Sequence, residues 1–425
     1  MIAAHNRVSL AALACGNPLS APLPSLAGKH VLLRTRDQLH AALALVALDG
    51  MAARLVLSPP DLNEDHLPGL IAQAGIDTLV TDGAALPGLM HVVVSTDLQP
   101  GSQAQPAHDT EWILFTSGTT GAPKMVTHSL AGLTGAIAPV RHDDIVWGTF
   151  YDIRRYGGLQ ILMRALIGGS SLILSEAGEA VADFLARLEG VTHLTGTPSH
   201  WRRALMSPAI HKIAPRYVRL SGEIADQAVL DSLKAQFPNA AIGHAYASTE
   251  AGVGFEVTDG LEGFPAEFIS RSGPVEMRVA DGSLMLRSAR TAHDYVGGVE
   301  QLKNDGWVDT GDLVTLRGQR YYFAGRRGGI INVGGLKINP EEVEAVINRH
   351  PGVALSRVSG RRNPITGAIV VAEVVLADTA NDNATFRDSL LALCREKLPA
   401  FKVPAMVRFV EKLDLTAGGK LARNA

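Results

Sequence analysis

Thr116-Ser117-Gly118-Thr119-Thr120-Gly121-Ala122-Pro123-Lys124 is the stretch on which the reading of this 425-residue chain turns. It follows directly on the apolar run Trp112-Ile113-Leu114-Phe115, so a strand is expected to deliver a loop rich in glycine and hydroxyl groups. Gly118 and Gly121 let backbone N–H groups converge on an anion, Thr116, Ser117, Thr119 and Thr120 add hydroxyl donors, and Lys124 adds a mobile positive charge. The order Gly-x-x-x-x-Gly-Lys-Ser/Thr is absent, so this is no Walker A loop, and taken alone such a stretch is more often an ordinary turn.

Working upstream, His30 to Leu33 reads as a strand, Asp37 to Leu48 as a helix, Arg54 to Leu57 as a strand, Leu67 to Ala74 as a helix and Thr78 to Val80 as a strand. This alternation predicts a parallel α/β layer, followed by a polar linker from Gln99 to Thr110. Downstream, strands are expected at Ser170 to Leu174, Val191 to Leu194 and Val218 to Leu220. The pattern changes near Arg326-Arg327-Gly328-Gly329. Beyond it Pro340 to Arg349 is predicted as a helix capped by Asn339, Ile369 to Val375 as a strand, Thr385 to Leu398 as a helix and Met406 to Val410 as a strand. From Gly329 onward there are 13 Lys and Arg against 10 Asp and Glu, so a small, mildly basic α/β unit follows a glycine hinge.

Composition narrows the function classes. With 46% hydrophobic and 19% charged residues, 43 Gly and 22 Pro, the chain is globular and turn-rich rather than disordered or fibrous. A net charge of −3 offers no polycation for a nucleic-acid backbone. Cys15 and Cys394, far apart in sequence, suggest neither a disulfide framework nor a zinc site and fit a reducing cytoplasm. The run Val8 to Cys15 after Arg7 has the outline of a secretory h-region at its short limit, without a clean cleavage site, and no segment reaches membrane-spanning length. There is no Gly-x-Ser-x-Gly elbow and no His/Cys cluster with metal spacing.

Further segments follow the loop in a fixed order: Ser221-Gly222-Glu223, Ala245-Tyr246-Ala247-Ser248-Thr249-Glu250, Gly306-Trp307-Val308-Asp309-Thr310-Gly311-Asp312, Gly325-Arg326, Gly334-Gly335 and Gly419-Lys420-Leu421-Ala422-Arg423. With this ordered set the chain resembles the ANL superfamily of adenylate-forming enzymes over residues 30 to 425. The resemblance implies an α/β fold: a large, multi-layer adenylating domain over residues 1–327, shortened at its front, and a small mobile α/β lid over 328–425. It also implies a two-step reaction, in which a carboxylate attacks the α-phosphate of ATP and a thiol then displaces AMP.

By the same resemblance, the loop Thr116 to Gly121 with Lys124 holds the β- and γ-phosphates, Tyr246 stacks on adenine beside Ala245, and Ser221, Gly222 and Glu223 line the other side of the base. Thr249 bonds an α-phosphate oxygen, Glu250 holds Mg2+, and Asp312, assisted by Arg326, takes the ribose hydroxyls. Lys420 is the expected catalytic group, able to bridge the attacking carboxylate and the α-phosphate, where charge develops in the transition state. Gly334 and Gly335 are expected to approach the pantetheine arm after the lid turns. Gly328 stands where relatives carry an aspartate or lysine hinge.

The substrate-facing segment departs from the family pattern, with Arg155 near the gate position before Tyr156-Gly157-Gly158. Two readings stay open. Arg155 meets an acidic group on the substrate or CoA, or it is structural and pairs with Asp152 or another acid. An arginine here argues against an α-amino acid substrate. Thr197, Ser199 and His200 are further pocket candidates, although one histidine among fourteen is more often a structural hydrogen bonder than a pocket group.

The expected activity is thioester formation with coenzyme A. The alternatives are loading of a carrier protein's phosphopantetheine, or a non-catalytic relative that senses nucleotide or acyl ligand, against which the intact Thr249, Glu250, Asp312 and Lys420 speak. The expected partners are a small carboxylic acid and CoA or a carrier, with no nucleic acid and no membrane span, in a cytoplasmic monomer or homodimer.

Overall fold

The computed structural model describes residues 1–101, 106–116, 123–298, 302–363, 366–377, 384–416 and 418–422. Two mostly parallel sheets form the body of the larger N-terminal part. The first has seven strands in the order Gly16–Leu19, Met90–Pro100, Thr78–Thr81, His30–Leu33, Arg54–Leu57, Glu111–Phe115, Met125–His128. Its inner strands are parallel and both edge strands antiparallel. The expected linker therefore begins later than the composition suggested, because the Met90 strand continues through Gln99 and Pro100 to pair with Asn17 and Gly16.

Helix Gln38–Leu48 begins where the Asp37 carboxylate accepts the Leu39 N–H at 2.6 Å, and Leu39, Leu43 and Leu45 bury completely or nearly so. A helix apolar on nearly every side can only lie between layers. The apolar run near the N-terminus forms a short helix, Leu10–Cys15, capped by Ser9, while Ile2 bridges to Ile173 of the second sheet. Among the described residues no helix is long and apolar enough to cross a membrane.

The second sheet runs Gly252–Val257, Ala241–Ser248, Tyr217–Ser221, His193–Gly196, Val146–Thr149, Ser171–Leu174, all parallel except the first. Helix Tyr156–Gly168 packs against it and ends on Gly169 in the left-handed conformation. A five-stranded antiparallel sheet, from Phe264–Pro265 to Arg320–Arg326, completes this part.

The smaller C-terminal part has its own apolar core. It contains the hairpin Ile331–Val333/Leu336–Ile338, helices Pro340–Ile347 and Ala384–Lys397, and a sheet of Val353–Asn363, Gly367–Leu376 and Met406–Phe409. The expected Asn339 cap does not form. Asn339 is extended but its side chain makes no capping bond, so Pro340 at the first helical position sets the start, and the helix ends at Ile347 rather than Arg349.

The two parts meet through a buried polar network. Arg202 clasps both oxygens of Asp226 at 2.6 Å, Asn348 of the smaller part donates to Asp226 Oδ2 at 3.2 Å, and Ser356 donates to Asn348 Oδ1 at 2.8 Å. Arg349–Glu262 adds an exposed ion pair at 2.9 Å.

Candidate active site

The strand Tyr217–Ser221 ends at the centre of the site. Gly222, at φ +87°, turns the chain there, and a Cβ on it would come 3.4 Å from Lys420 Cε. Lys420 therefore arrives from the far end of the chain and stands near Gly222, on the side where a side chain there would point.

A tight hairpin carries Lys420. Leu415 bridges Leu421, Thr416 N–H donates to Lys420 O at 2.7 Å, and Gly419 turns at φ +72°. Three contacts dock it. Thr197 Oγ1 donates to Gly419 O at 2.6 Å, Glu223 Oε1 accepts the Leu421 N–H at 2.8 Å, and Arg203 donates to Leu413 O. The other Glu223 oxygen accepts Ser199 N–H at 3.0 Å, so one carboxylate ties the start of helix Pro198–Leu205 to the terminal hairpin.

Thr197 and His200 form a reciprocal cap of that helix. Thr197 Oγ1 accepts the His200 N–H at 3.1 Å, and His200 Nδ1 accepts the Thr197 N–H at 3.2 Å. His200 stacks on Phe150 at 5.3 Å, and burial, with a smaller push from Arg203, drives its pKa down to about 3. It is thus a neutral structural ring, and it leaves room for Gly419 alone: a Cβ there would fall 1.7 Å from His200 Cε1.

Around Lys420 the charges are mixed. Burial, and then the Arg326 guanidinium, lower its pKa below the usual lysine value, while Glu223, Asp312 and Glu250 oppose the shift. Asp312 Oδ1 takes the Arg326 Nε–H at 2.9 Å, and Asp312 Oδ2 takes the Tyr246 hydroxyl at 2.6 Å. Tyr246 stacks on Phe255 and Phe323, with centroids 5.6 and 5.4 Å away, so its ring plane is set by protein rings. Burial first, then Asp312, holds its phenol well above the usual range.

Ala245 precedes Tyr246 on the same strand, and Thr249 and Glu250 occupy the turn that follows. Thr249 O accepts from His128 Nε2 at 2.8 Å, and Glu250 O accepts Ala292 N–H at 2.9 Å, which fixes the turn through its backbone. The Glu250 carboxylate makes no hydrogen bond or ion pair among the described residues. No cluster of three His, Cys, Asp or Glu suited to a metal occurs among them. A single carboxylate fits a magnesium ion that takes its remaining ligands from water and substrate phosphates.

The strands Glu111–Phe115 and Met125–His128, on either side of the glycine- and threonine-rich stretch, pair antiparallel. Thr116, buried, donates its N–H to Lys124 O at 2.9 Å, and Lys124 Nζ sits 5.3 Å over the Tyr295 ring. Ser117, Gly118, Thr119, Thr120 and Gly121 lie outside the described residues. Gly334 and Gly335 form the exposed tip of the small-part hairpin at φ +57° and +85°.

The two arginines before helix Tyr156–Gly168 take separate partners. Arg154, fully buried, claims Asp152 through Nε at 2.8 Å and Nη2 at 2.5 Å, so the local pair foreseen for Arg155 is made by its neighbour. Arg155 instead pairs with Asp61 and lies beside Gly418 of the terminal hairpin. Tyr156 is buried, and Gly157 faces the Tyr151 ring, where a Cβ would stand 3.6 Å away. Tyr151 in turn donates to Ser221 O at 2.9 Å.

Sequence reasoning passed over Arg164, in the middle of helix Tyr156–Gly168, and Arg219, in the middle of Tyr217–Ser221. The signal for Arg219 was a charge inside an otherwise strand-like run, two residues before the motif and on the same face as Ser221.

Residues 26–284 match the family described as AMP-binding enzyme, and residues 342–420 match the AMP-binding enzyme C-terminal domain. The chain is 24% identical over 442 residues to a 2-succinylbenzoate–CoA ligase of Bacillus cytotoxicus, covering 93% of this chain and 87% of that one. It is 30% identical over 332 residues to a 2-succinylbenzoate–CoA ligase of Listeria monocytogenes, covering 73% and 68%. In fold it resembles an anthranilate CoA ligase in complex with anthranoyl-AMP, with TM-score 0.77 at 20% identity over 93% of this chain and 86% of that one. It likewise resembles the o-succinylbenzoate CoA synthetase of Bacillus subtilis with its acyl-adenylate intermediate, with TM-score 0.75 at 20% identity over 99% and 93%.

Proposed function

We propose, for a chain that belongs to the AMP-binding enzyme family and so is an ATP-dependent, AMP-forming acid–CoA ligase, that the terminal hairpin carrying Lys420 is docked here for the adenylating half-reaction. The observation that carries this reading is the docking of the terminal hairpin through Thr197–Gly419 and Glu223–Leu421, which sets Lys420 Cε 3.4 Å from where a Cβ on Gly222 would stand.

In the first half-reaction a carboxylate oxygen bonds to the α-phosphorus of ATP and pyrophosphate leaves. In the second a thiol sulfur bonds to the acyl carbon, its proton is lost, and AMP leaves. The first step joins two anions, so a preorganised cation between them lowers its barrier. Lys420 fills that role in this reading, with Thr249 on an α-phosphate oxygen and Lys124 and the 116–121 loop on the outer phosphates.

Asp312 and Arg326 present an acceptor and a donor for the ribose, and Ser221 to Glu223 with Ala245 and Tyr246 border the base. Glu250 would hold magnesium, which when bound neutralises phosphate charge. His200 is assigned to positioning Gly419 and Arg155 to seating the hairpin beside Asp61, neither to chemistry.

The division between the two parts is placed at Arg327–Gly328. A Cβ at Gly328 would meet nothing within 4 Å, which suits a hinge. Turning there withdraws Lys420 and brings the Gly334–Gly335 tip toward the thiol arm. The acceptor is assigned as free CoA, and the protein as a cytoplasmic monomer or homodimer acting on a small carboxylic acid.

Pyrophosphate exchange with a panel of acids, followed by thioester formation with CoA, tests the reading. Acid-dependent exchange and a CoA thioester are expected. Product formed only with a phosphopantetheinylated carrier would overturn the choice of acceptor, and nucleotide binding without exchange would overturn the assignment of Lys420.

A further inference from the structure

The groups assigned to the phosphates come from two different sheets. Lys124 stands at the start of Met125–His128, an edge strand of the first sheet, while Thr249 and Glu250 lie in the turn that leads into Gly252–Val257, an edge strand of the second. A buried side chain runs directly from one edge to the other. It is His128, 1% exposed, whose Nε2 stands 2.8 Å from Thr249 O.

That contact fixes the state of the ring. A carbonyl oxygen only accepts, so Nε2 carries the proton. Burial first, opposed by the bond to Thr249 O and aided by the His293 and Lys303 charges, takes the His128 pKa down to about 4. The ring is therefore neutral at physiological pH and Nδ1 is bare. Nδ1 is also buried, without a hydrogen-bond partner among the described residues. Leaving a buried acceptor bare typically costs more than one bond to a neutral carbonyl returns. An apolar side chain in this place would hold the fold at least as well, and what His128 adds is the position of Thr249 O.

A strap along the same strand completes the grip. Val296 N–H donates to Met125 O at 2.9 Å, Thr127 N–H to Asp294 O at 2.9 Å and His293 N–H to Thr127 O at 2.7 Å. One residue earlier, Ala292 N–H reaches Glu250 O at 2.9 Å. Tyr295, in the middle of the strap, lies under Lys124 Nζ. Two successive carbonyls of the turn, Thr249 O and Glu250 O, are thus tied to the strand that begins next to Lys124. The tie at Thr249 is the one made by a side chain, so a single substitution removes it.

We infer that His128 is a positioning residue for adenylation, setting the distance between Lys124 and the Thr249–Glu250 turn and so the fit of a nucleotide that spans both. The role rests on the assignment of Lys124 and that turn to the phosphates of ATP. A nucleotide with one phosphate meets the turn alone and follows a small shift of it. A triphosphate reaches from the turn to Lys124, so a displaced turn deprives it of one contact or the other.

Equilibrium binding of AMP, and of ATP with Mg2+, to the full chain tests the role. His128→Asn and His128→Gln carry the same amide on side chains of different reach, the Gln nitrogen attaining the place of Nε2 and the Asn nitrogen that of Nδ1. His128→Asn should bind ATP about tenfold more weakly, as for one lost hydrogen bond, and AMP within about threefold of the parent. His128→Gln should keep both nucleotides within about threefold. Lys124→Ala should also weaken ATP against AMP. Added to Lys124→Ala, His128→Asn should cost ATP no more than about threefold further, because the distance it disturbs no longer matters, whereas independent effects would multiply. Should His128→Asn fail to fold, His128→Leu, which buries no polar group, takes its place with the same expected values. Asn and Gln variants that behave alike, ATP and AMP weakened together, or effects that multiply overturn the positioning role. Unchanged ATP binding in Lys124→Ala would instead remove the assignment of Lys124 to the phosphates.

Discussion

Glu223 accepts the N–H of Leu421 at 2.8 Å, so the residue after Lys420 is held by a carboxylate that also accepts the Ser199 N–H at 3.0 Å. This carboxylate makes the position of the ammonium a property of both parts of the chain. Glu223→Ala removes two charge-assisted hydrogen bonds, each worth about 1.5–3 kcal/mol. Pyrophosphate exchange should fall about 10- to 100-fold, while thioester formation from supplied acyl-adenylate stays within threefold of the parent.

Lys420→Ala should lower adenylation about a thousandfold, in line with removal of a group that stabilises developing charge. Thioester formation from supplied acyl-adenylate should be largely retained. Equal loss of both half-reactions would contradict the proposed alternation of the two parts.

In the proposed role Lys420 must be protonated, and burial with the Arg326 charge lowers its pKa. Pyrophosphate exchange should therefore be lost as pH rises, on a limb below the usual lysine value of 10.5. Lys420→Arg should shift that limb upward in a pH–rate profile, since a guanidinium keeps its proton.

Gly419→Ala places a methyl in the space of the His200 ring and imposes a positive φ on a non-glycine residue, a strain of about 1–2 kcal/mol. Adenylation should fall nearly as far as in Lys420→Ala. His200→Ala in the same chain should recover part of it by clearing the clash and leaving the strain.

Asn348 joins the parts through Asp226, and Asn348→Ala strips one hydrogen bond from Asp226 and orphans the buried Ser356 hydroxyl, a cost of about 1–3 kcal/mol. Adenylation should drop about tenfold as the docked arrangement loses population, with thioester formation from acyl-adenylate unchanged or faster. Asp226→Asn, which leaves buried Arg202 without its counter-ion, should instead lower global stability by about 3–5 kcal/mol in urea unfolding.

Local elements were legible because their physics is local. The apolar helix expected from Asp37 to Leu48 and the strand periods upstream of Thr116 follow from neighbours a few residues away. Arg154 and Arg155 show the limit. Both stand within reach of Asp152, and the difference between them lies in the turn that folds Arg154 back onto that carboxylate and aims Arg155 toward Asp61, 94 residues distant. Asn348 and Asp226 lie 122 residues apart and Glu223 and Leu421 are separated by 198, so nothing in their own neighbourhoods announces either bond. Ordered motifs nominated the residues proposed here to handle the nucleotide. Arg164 and Arg219 escaped because they come near each other only where a helix crosses a strand.

The small hairpin with Gly334 and Gly335 at its tip carries a mechanical consequence. Gly334 N–H donates to Thr366 O, anchoring the tip to the turn between the two longest strands of the smaller sheet. The tip is thus a stylus fixed to its arm, with little play of its own. In the proposed alternation its aim at a thiol would be set almost wholly by the angle through which the small part swings, so tolerance in the second half-reaction would reside in the pivot rather than in the loop.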